Sequence, residues 1–77
     1  MSEAGKIGRN VERLRKAKGW TQSEVARRSG VSQTFISSLE GGRRRQALVE
    51  LVADLARALG CTVDDLLREP ESGEEPR

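Results

Sequence analysis

The chain has 77 residues, of which 35% are hydrophobic and 34% charged, and its formal net charge is +2. This length allows one small domain, and no apolar stretch forms the core of a signal peptide or approaches the roughly 20 residues of a membrane span. One cysteine and no histidine exclude a disulfide framework and the usual zinc spacings. We therefore expect a cytoplasmic protein without a metal or another cofactor.

Charge is divided unevenly along the chain. Residues 1–45 contain 11 Lys and Arg against 4 Asp and Glu, a net charge of +7. Residues 46–77 contain 3 Arg against 8 Asp and Glu, a net charge of −5. Such a chain presents one region that suits a polyanion and one that does not. Taken alone, the pattern is equally compatible with two solvated helix faces of opposite sign.

The first two predicted elements are helices, because apolar residues recur at helical rather than alternating spacing. The first helix, over roughly residues 5–18, is indicated by Ile7, Val11 and Leu14. Gly19 ends it. Thr21 and Glu24 have the spacing of a capping box, which predicts the start of a second helix. Gly30 ends this second helix.

The third and fourth predicted elements are also helices. Ser32 is the expected N-cap of the third, which carries Ile36 and Leu39 on its inner side and closes at Gly41–Gly42. The fourth is predicted over residues 47–59, where four leucine and valine residues share one face: Leu48, Val52, Leu55 and Leu59.

A short fifth helix completes the predicted fold. Thr62 and Asp65 repeat the capping pattern, and Pro70 follows closely enough to stop the helix. We therefore predict an all-α, compact five-helix domain over residues 1–68. The polar, acidic residues 69–77 are expected to form a disordered tail.

Residues 22–42, QSEVARRSGVSQTFISSLEGG, have the features of two helices that meet at a sharp angle over a short turn. Ala26 supplies a small residue where the helices cross, and Gly30 tolerates a positive φ in the turn. Apolar residues are spaced to hold both helices to the core: Val25, Val31, Ile36 and Leu39. The outer face of the second helix is short, polar and uncharged: Gln33, Thr34, Ser37 and Ser38.

This pattern resembles the phage-repressor and Cro-like helix-turn-helix family of transcriptional regulators, also called the XRE family. The resemblance covers residues 7–67 and includes linked segments in the same order: G-W-T-Q at 19–22, the triplet Ala26, Gly30 and Ile36, S-x-L-E-G-G-R-R at 37–44, and A-R-A-L-G-C-T-V-D-D-L-L at 56–67. It implies a repressor-like fold that reads the major groove of double-stranded DNA with residues 32–40 as the recognition helix.

The resemblance also implies roles for individual residues. Gln33, Thr34 and Ser38 match positions that face base edges, and a glutamine can pair with both N6 and N7 of adenine. Ser37 matches a position near the DNA backbone. Gln22 matches a position that holds a phosphate and braces Gln33.

Two further groups of charged residues have expected roles. Arg15 and Glu40 match a pair that forms a buried salt bridge between the first helix and the end of the recognition helix. Arg43, Arg44 and Arg45 follow the recognition helix directly, and in that place we expect them to contact phosphates.

A homodimer on an inverted repeat is expected, because one recognition helix contacts too few base pairs to mark a genomic site. The apolar residues of the last two helices cover a wider arc than one core contact needs, and we expect Leu51, Val63 and Leu67 to contribute to the dimer interface. No membrane or small-molecule partner is expected. The alternative is an antitoxin-like or adaptor protein that uses the same fold mainly to bind another protein.

Two remaining residues each allow a structural and a functional interpretation. Trp20 is expected to fill the core between the first two helices rather than to stack on single-stranded nucleic acid. Cys61 is expected to fill the core, with a redox role as the alternative. Catalysis has no support, because the chain has no histidine and no nucleophile beside a base.

Overall fold

The computed structural model describes residues 3–69, which form five helices and no strand. In chain order these are α1 (Glu3–Ala17), α2 (Gln22–Ser29), α3 (Gln33–Glu40), α4 (Val49–Leu59) and α5 (Val63–Leu67). None of the five is long and apolar enough to cross a membrane. The predicted all-α, five-helix fold is confirmed. From Pro70 onwards the predicted tail lies outside the described residues.

One hydrophobic core joins the five helices. α1 packs against both α3 and α5, and α2 packs against α4. The buried apolar side chains come from every helix and from the turn before α3: Ala4, Ile7, Val11, Val25, Val31, Phe35, Ile36, Leu39, Val52, Leu55, Ala56, Leu59 and Leu66. The inward positions predicted for the first three helices belong to this core, apart from Leu14 and Ala26, which are half-buried against it.

Side-chain caps fix where the two central helices begin. The hydroxyl oxygens of Ser32 and Thr21 each accept a hydrogen bond from a backbone N–H in the first turn of their helix, at 3.1 and 3.0 Å. The capping box predicted at Thr21 was wrong in its second half, because the Glu24 carboxylate accepts from Arg27 and Arg28 instead. Those arginines lie one helical turn further on, where opposite charges meet readily.

The start of α4 differs from the prediction. The helix begins at Val49 rather than at residue 47, and Leu48 is its N-cap, with extended backbone at φ −73° and ψ 132°. Leu48 is 57% exposed, so its predicted place on the buried face was wrong. A residue ahead of the first turn is not held at the helical spacing that aligns the other apolar residues of α4.

Side chains hold α5 at both ends. At its start Thr62 and Asp65 form the predicted capping box, with both hydrogen bonds at 3.0 Å. At its end the buried amide of Asn10, in α1, donates to the carbonyl oxygens of Leu66 at 2.8 Å and Arg68 at 3.0 Å. Asn10 therefore satisfies carbonyl groups that the end of a short helix leaves without a partner.

The backbones of α1 and α3 touch at Gly8. A Cβ atom at this position would lie 2.0 Å from the carbonyl oxygen of Leu39, so no residue with a side chain fits without moving α3. A glycine inside a helix costs about 0.5–1 kcal/mol relative to alanine. The close approach explains why the helix carries one here, and it sets the distance between α3 and α1.

Gly30 occupies the turn between α2 and α3, as predicted. Its φ of 78° lies in the left-handed region that glycine adopts without steric cost. Its N–H donates to the carbonyl oxygen of Ala26 at 2.9 Å. The buried hydroxyl of Ser29 accepts from the N–H of Val31 at 3.1 Å, so the chain can reverse inside the core without leaving that donor unpaired.

An ion pair between Arg15 and Glu40 joins the end of α3 to α1. Two nitrogens of the guanidinium donate to the two carboxylate oxygens at 2.7 and 2.8 Å, and the side chains are only 13% and 4% exposed. Gln22 donates a third hydrogen bond to the carboxylate at 3.0 Å, and Arg15 also donates to the carbonyl oxygen of Trp20. The hydrogen bonds to Glu40 raise the pKa of Arg15.

Removal of one partner would leave the other charge desolvated and unpaired. We expect Glu40→Ala or Arg15→Ala to lower the free energy of unfolding by about 3–5 kcal/mol, much of the stability of a domain this small. The exposed pair Lys16–Glu12 on the same helix is the control, and Lys16→Ala should cost less than about 1 kcal/mol. Chemical denaturation measures both. Equal midpoints for the Arg15 and Lys16 variants would contradict the expectation.

Candidate nucleic-acid interface

The outer face of α3 is polar and open to solvent. Gln33 and Thr34 are exposed at its start, and Ser37 and Ser38 are half-buried one turn further on. The opposite face supplies the three core residues of the helix: Phe35, Ile36 and Leu39. Because the apolar residues occupy one side, α3 presents amide and hydroxyl groups on the other.

All eight side chains predicted to contact DNA line two adjoining surface depressions. One is lined by Gln22, Gln33, Thr34, Ser37, Ser38 and Arg43. The other is lined by Ser38, Arg43, Arg44, Arg45 and Gln46. Ser38 and Arg43 belong to both, so the depressions form one surface from the start of α2 across α3 to the following loop. We call it the α3 surface. Every charged residue that lines it is an arginine.

A neighbouring hydroxyl holds the Gln33 side chain. Ser23 Oγ donates to Gln33 Oε1 at 2.9 Å. The expected brace from Gln22 was wrong, since Gln22 Nε2 donates to Glu40 instead, and a buried carboxylate is a stronger acceptor than an exposed amide. Ser23 occupies one of two lone pairs on Gln33 Oε1, so the amide keeps an acceptor site and both N–H donors, as pairing with adenine requires.

The two serines of the α3 surface differ in the hydrogen bonds left to them. Ser38 Oγ donates to the carbonyl oxygen of Phe35 at 3.0 Å, so its oxygen remains free to accept from the amino group of a base. Ser37 Oγ accepts from Arg43 at 3.4 Å, which leaves its O–H to donate to a phosphate oxygen. The local geometry suits Ser38 to a base edge and Ser37 to the backbone.

The three arginines after α3 are not equivalent. Gly42, with a φ of 76°, turns the chain, and the N–H of Arg43 donates to a carbonyl in the last turn of α3 at 3.0 Å. Arg43 and Arg45 are exposed. Arg44 is half-buried, and its guanidinium carbon lies 4.4 Å from the centre of the Phe35 ring. The sequence pattern did not distinguish the three, because the ring contact depends on the folded loop.

The residues predicted for a dimer interface lie on α4 and α5. Leu51, Val63 and Leu67 are half-buried, and each packs against the core. The exposed large apolar residues of the described chain are Leu48 and Val49, the latter 77% exposed. The three predicted residues therefore have part of their surface available to a partner, while the start of α4 is more open.

Trp20 and Cys61 both pack against the core from half-buried positions. The nitrogen of Lys18 and the guanidinium carbon of Arg28 lie 5.2 and 4.1 Å from the centre of the Trp20 ring, so these cations occupy positions that a stacked base would need. Burial raises the pKa of the Cys61 thiol, which disfavours the reactive thiolate. These contacts favour the structural interpretation of each residue.

Comparison with known proteins identifies the family. A helix-turn-helix family model matches residues 11–66. The uncharacterized HTH-type transcriptional regulator y4dJ of Sinorhizobium fredii is 49% identical over 61 residues, which cover 79% of this chain and 78% of that protein. The competence pilus inhibition repressor of Acinetobacter baylyi is 42% identical over 62 residues, which cover 78% of this chain but only 54% of that repressor.

Two solved structures share the fold. The restriction-modification controller protein C.AhdI from Aeromonas hydrophila has a TM-score of 0.75 at 30% identity, with 82% of this chain and 94% of that chain covered. The hypothetical transcription factor NHTF from Neisseria has a TM-score of 0.79 at 32% identity, with 94% of this chain and 82% of that chain covered. This chain belongs to the XRE-type helix-turn-helix family of DNA-binding transcriptional regulators.

Proposed function

We propose that this regulator binds a specific DNA sequence as a homodimer, with the α3 surface of each protomer in the major groove of one half of an inverted repeat. The observation that most supports this is that all eight predicted DNA contacts line that one surface. Gln33, Thr34 and Ser38 contact base edges. Gln22, Ser37 and the loop that carries Arg43, Arg44 and Arg45 lie along the DNA backbone.

Gln33 is the residue best suited to discriminate between bases. It is exposed at the start of α3, the end of a recognition helix that commonly contacts base edges. The hydrogen bond from Ser23 restricts the rotation of its amide, so less conformational freedom is lost on binding. An adenine in the major groove offers the complementary acceptor N7 and donor N6.

Gln33→Ala should weaken binding to the best site by about 1–3 kcal/mol and relax the preference at one base pair in each half-site. Gln46→Ala removes the same kind of side chain from the loop and is the control, because it should leave base preference unchanged. Selection of bound duplexes from a random pool, followed by titration, measures both effects. An equal loss of affinity for specific and random DNA would show that Gln33 only positions the protein.

The loop arginines contribute to DNA affinity in a way that does not depend on the DNA sequence. Each phosphate that a cation neutralises adds about 0.9 to the slope of log K against log salt. Replacing Arg43, Arg44 and Arg45 together by alanine should weaken binding to all sequences alike and flatten that slope. Arg57→Ala, on α4, is the control and should leave the slope as it is. An unchanged slope in the triple variant would remove the loop from the interface.

One α3 of eight residues contacts too few base pairs to specify a genomic site, and dimerisation through α4 and α5 would double that number. A two-fold axis places two recognition helices on one face of the DNA, about 34 Å apart. Residues 46–69 contain 5 Asp and Glu against 2 Arg, a net charge of −3, so an interface in this part of the chain keeps these carboxylates away from the phosphates. Leu51, Val63 and Leu67 supply the apolar contacts of the interface.

Two valines provide a matched test of the dimer interface, since each is the first residue of its helix: Val63 begins α5 and Val49 begins α4. Val63→Ser should weaken the homodimer and cooperative binding to a palindromic duplex, because it places a hydroxyl in the apolar interface. Val49→Ser should leave both unchanged. Analytical ultracentrifugation at micromolar concentration, with and without the duplex, measures the assembly. A wild-type monomer that binds DNA one-to-one without cooperativity would refute the dimer.

A further inference from the structure

We propose that Arg44 is a positioning residue of the DNA interface rather than a phosphate contact. By stacking on Phe35 it fixes the loop over residues 43–46 against α3, so that Arg43 and Arg45 face the DNA backbone. The inference rests on the proposed function, because it assigns separate tasks to side chains of the α3 surface. It also replaces the expectation that Arg44 contacts a phosphate as Arg43 and Arg45 do.

The contacts of Arg44 differ from those of a solvent-exposed arginine that is free to bind an anion. Its guanidinium carbon lies 4.4 Å from the centre of the Phe35 ring, well inside the roughly 6 Å range of a cation–π contact. Phe35 is 7% exposed and belongs to the core. Arg44 is thus attached to the buried side of α3.

The Nε atom of Arg44 supports this interpretation. It is buried and has no hydrogen-bond partner among the described residues. A desolvated donor without an acceptor is unfavourable, so the packing of the planar group on the ring must outweigh that cost. While the side chain stays on the ring, a phosphate cannot be bound bidentately through this Nε and a terminal nitrogen.

The loop after α3 has few other attachments, so the contact between Arg44 and Phe35 can determine its position. Between the end of α3 and the start of α4, residues 43–48 form no regular structure. Only the first of them is tied to α3 by a backbone hydrogen bond, from the N–H of Arg43 to the carbonyl oxygen of Ser38. The Arg43 side chain also donates to Ser37, and the Arg44 side chain adds an attachment beyond Arg43. A loop that is ordered before binding loses less conformational entropy when it meets the DNA.

A phosphate contact and a positioning contact predict different salt dependence. Arg43→Ala and Arg45→Ala should each lower the slope of log K against log salt by about 0.9, because each removes one neutralised phosphate. Arg44→Ala should weaken binding roughly threefold to thirtyfold, as expected for loss of a cation–π contact. Its slope should change by less than half as much as in the two control variants.

Arg44→Met provides a rescue that only the positioning role predicts. The unbranched methionine can pack on the Phe35 ring, and its sulfur makes favourable contacts with aromatic groups, but it carries no charge for a phosphate. It should recover most of the affinity that Arg44→Ala loses. If Arg44→Ala flattens the slope as much as Arg43→Ala, and Arg44→Met binds no better than Arg44→Ala, Arg44 is a phosphate contact and the proposal is wrong.

Phe35→Leu tests the other side of the stack. It should weaken binding as Arg44→Ala does, and the double variant should lose less affinity than the sum of the two, because both disrupt one contact. Thermal unfolding monitors whether the Phe35 variant remains folded, and the Arg44 variants decide the question without it. Failure of the wild-type protein to bind DNA with a steep salt slope would refute the proposed function itself, whereas a steep wild-type slope with three equivalent arginines refutes only the role of Arg44.

Discussion

The Glu40 carboxylate is the group on which the arrangement of the first three helices depends. It ends α3, receives two hydrogen bonds from Arg15 of α1 and receives one from Gln22 at the start of α2. A carboxylate that is only 4% exposed is tolerated only when its charge is paired and its oxygens have donors. The same guanidinium holds the carbonyl oxygen of Trp20 in the loop between α1 and α2. The orientation of the α3 surface therefore follows from one buried ion pair.

The parts of the fold that could be predicted from the sequence are those set by local chemistry. The Thr62–Asp65 box and the turn at Gly30 each depend on residues within one helical turn, and helical periodicity located most of the core. A local pattern was wrong where one side chain has two possible sets of partners nearby. The Glu24 carboxylate accepts from Arg27 and Arg28 instead of completing the capping box with Thr21. Gly8 was not singled out, because the need for a glycine there arises from the backbone of α3.

The same division applies to the candidate site. The polar face of α3 and its four outer residues follow from the helix-turn-helix pattern, and the structure brings them together on one surface. Ser23 and the Arg44–Phe35 stack were missed, since each contact joins residues on different elements and depends on how the elements pack. A signal for Ser23 was available, because a hydroxyl next to Gln22 at the start of α2 lies close to the start of α3.

The hydrogen bonds from Asn10 to the end of α5 make the ends of the domain depend on one another. They connect residues 56 positions apart in the chain, and a helix of five residues has almost no stability on its own. α5 can therefore persist only while α1 is folded beneath it. A partner that binds α5 would in effect select chains in which α1 is folded, and protein with an unfolded α1 would be excluded from assembly.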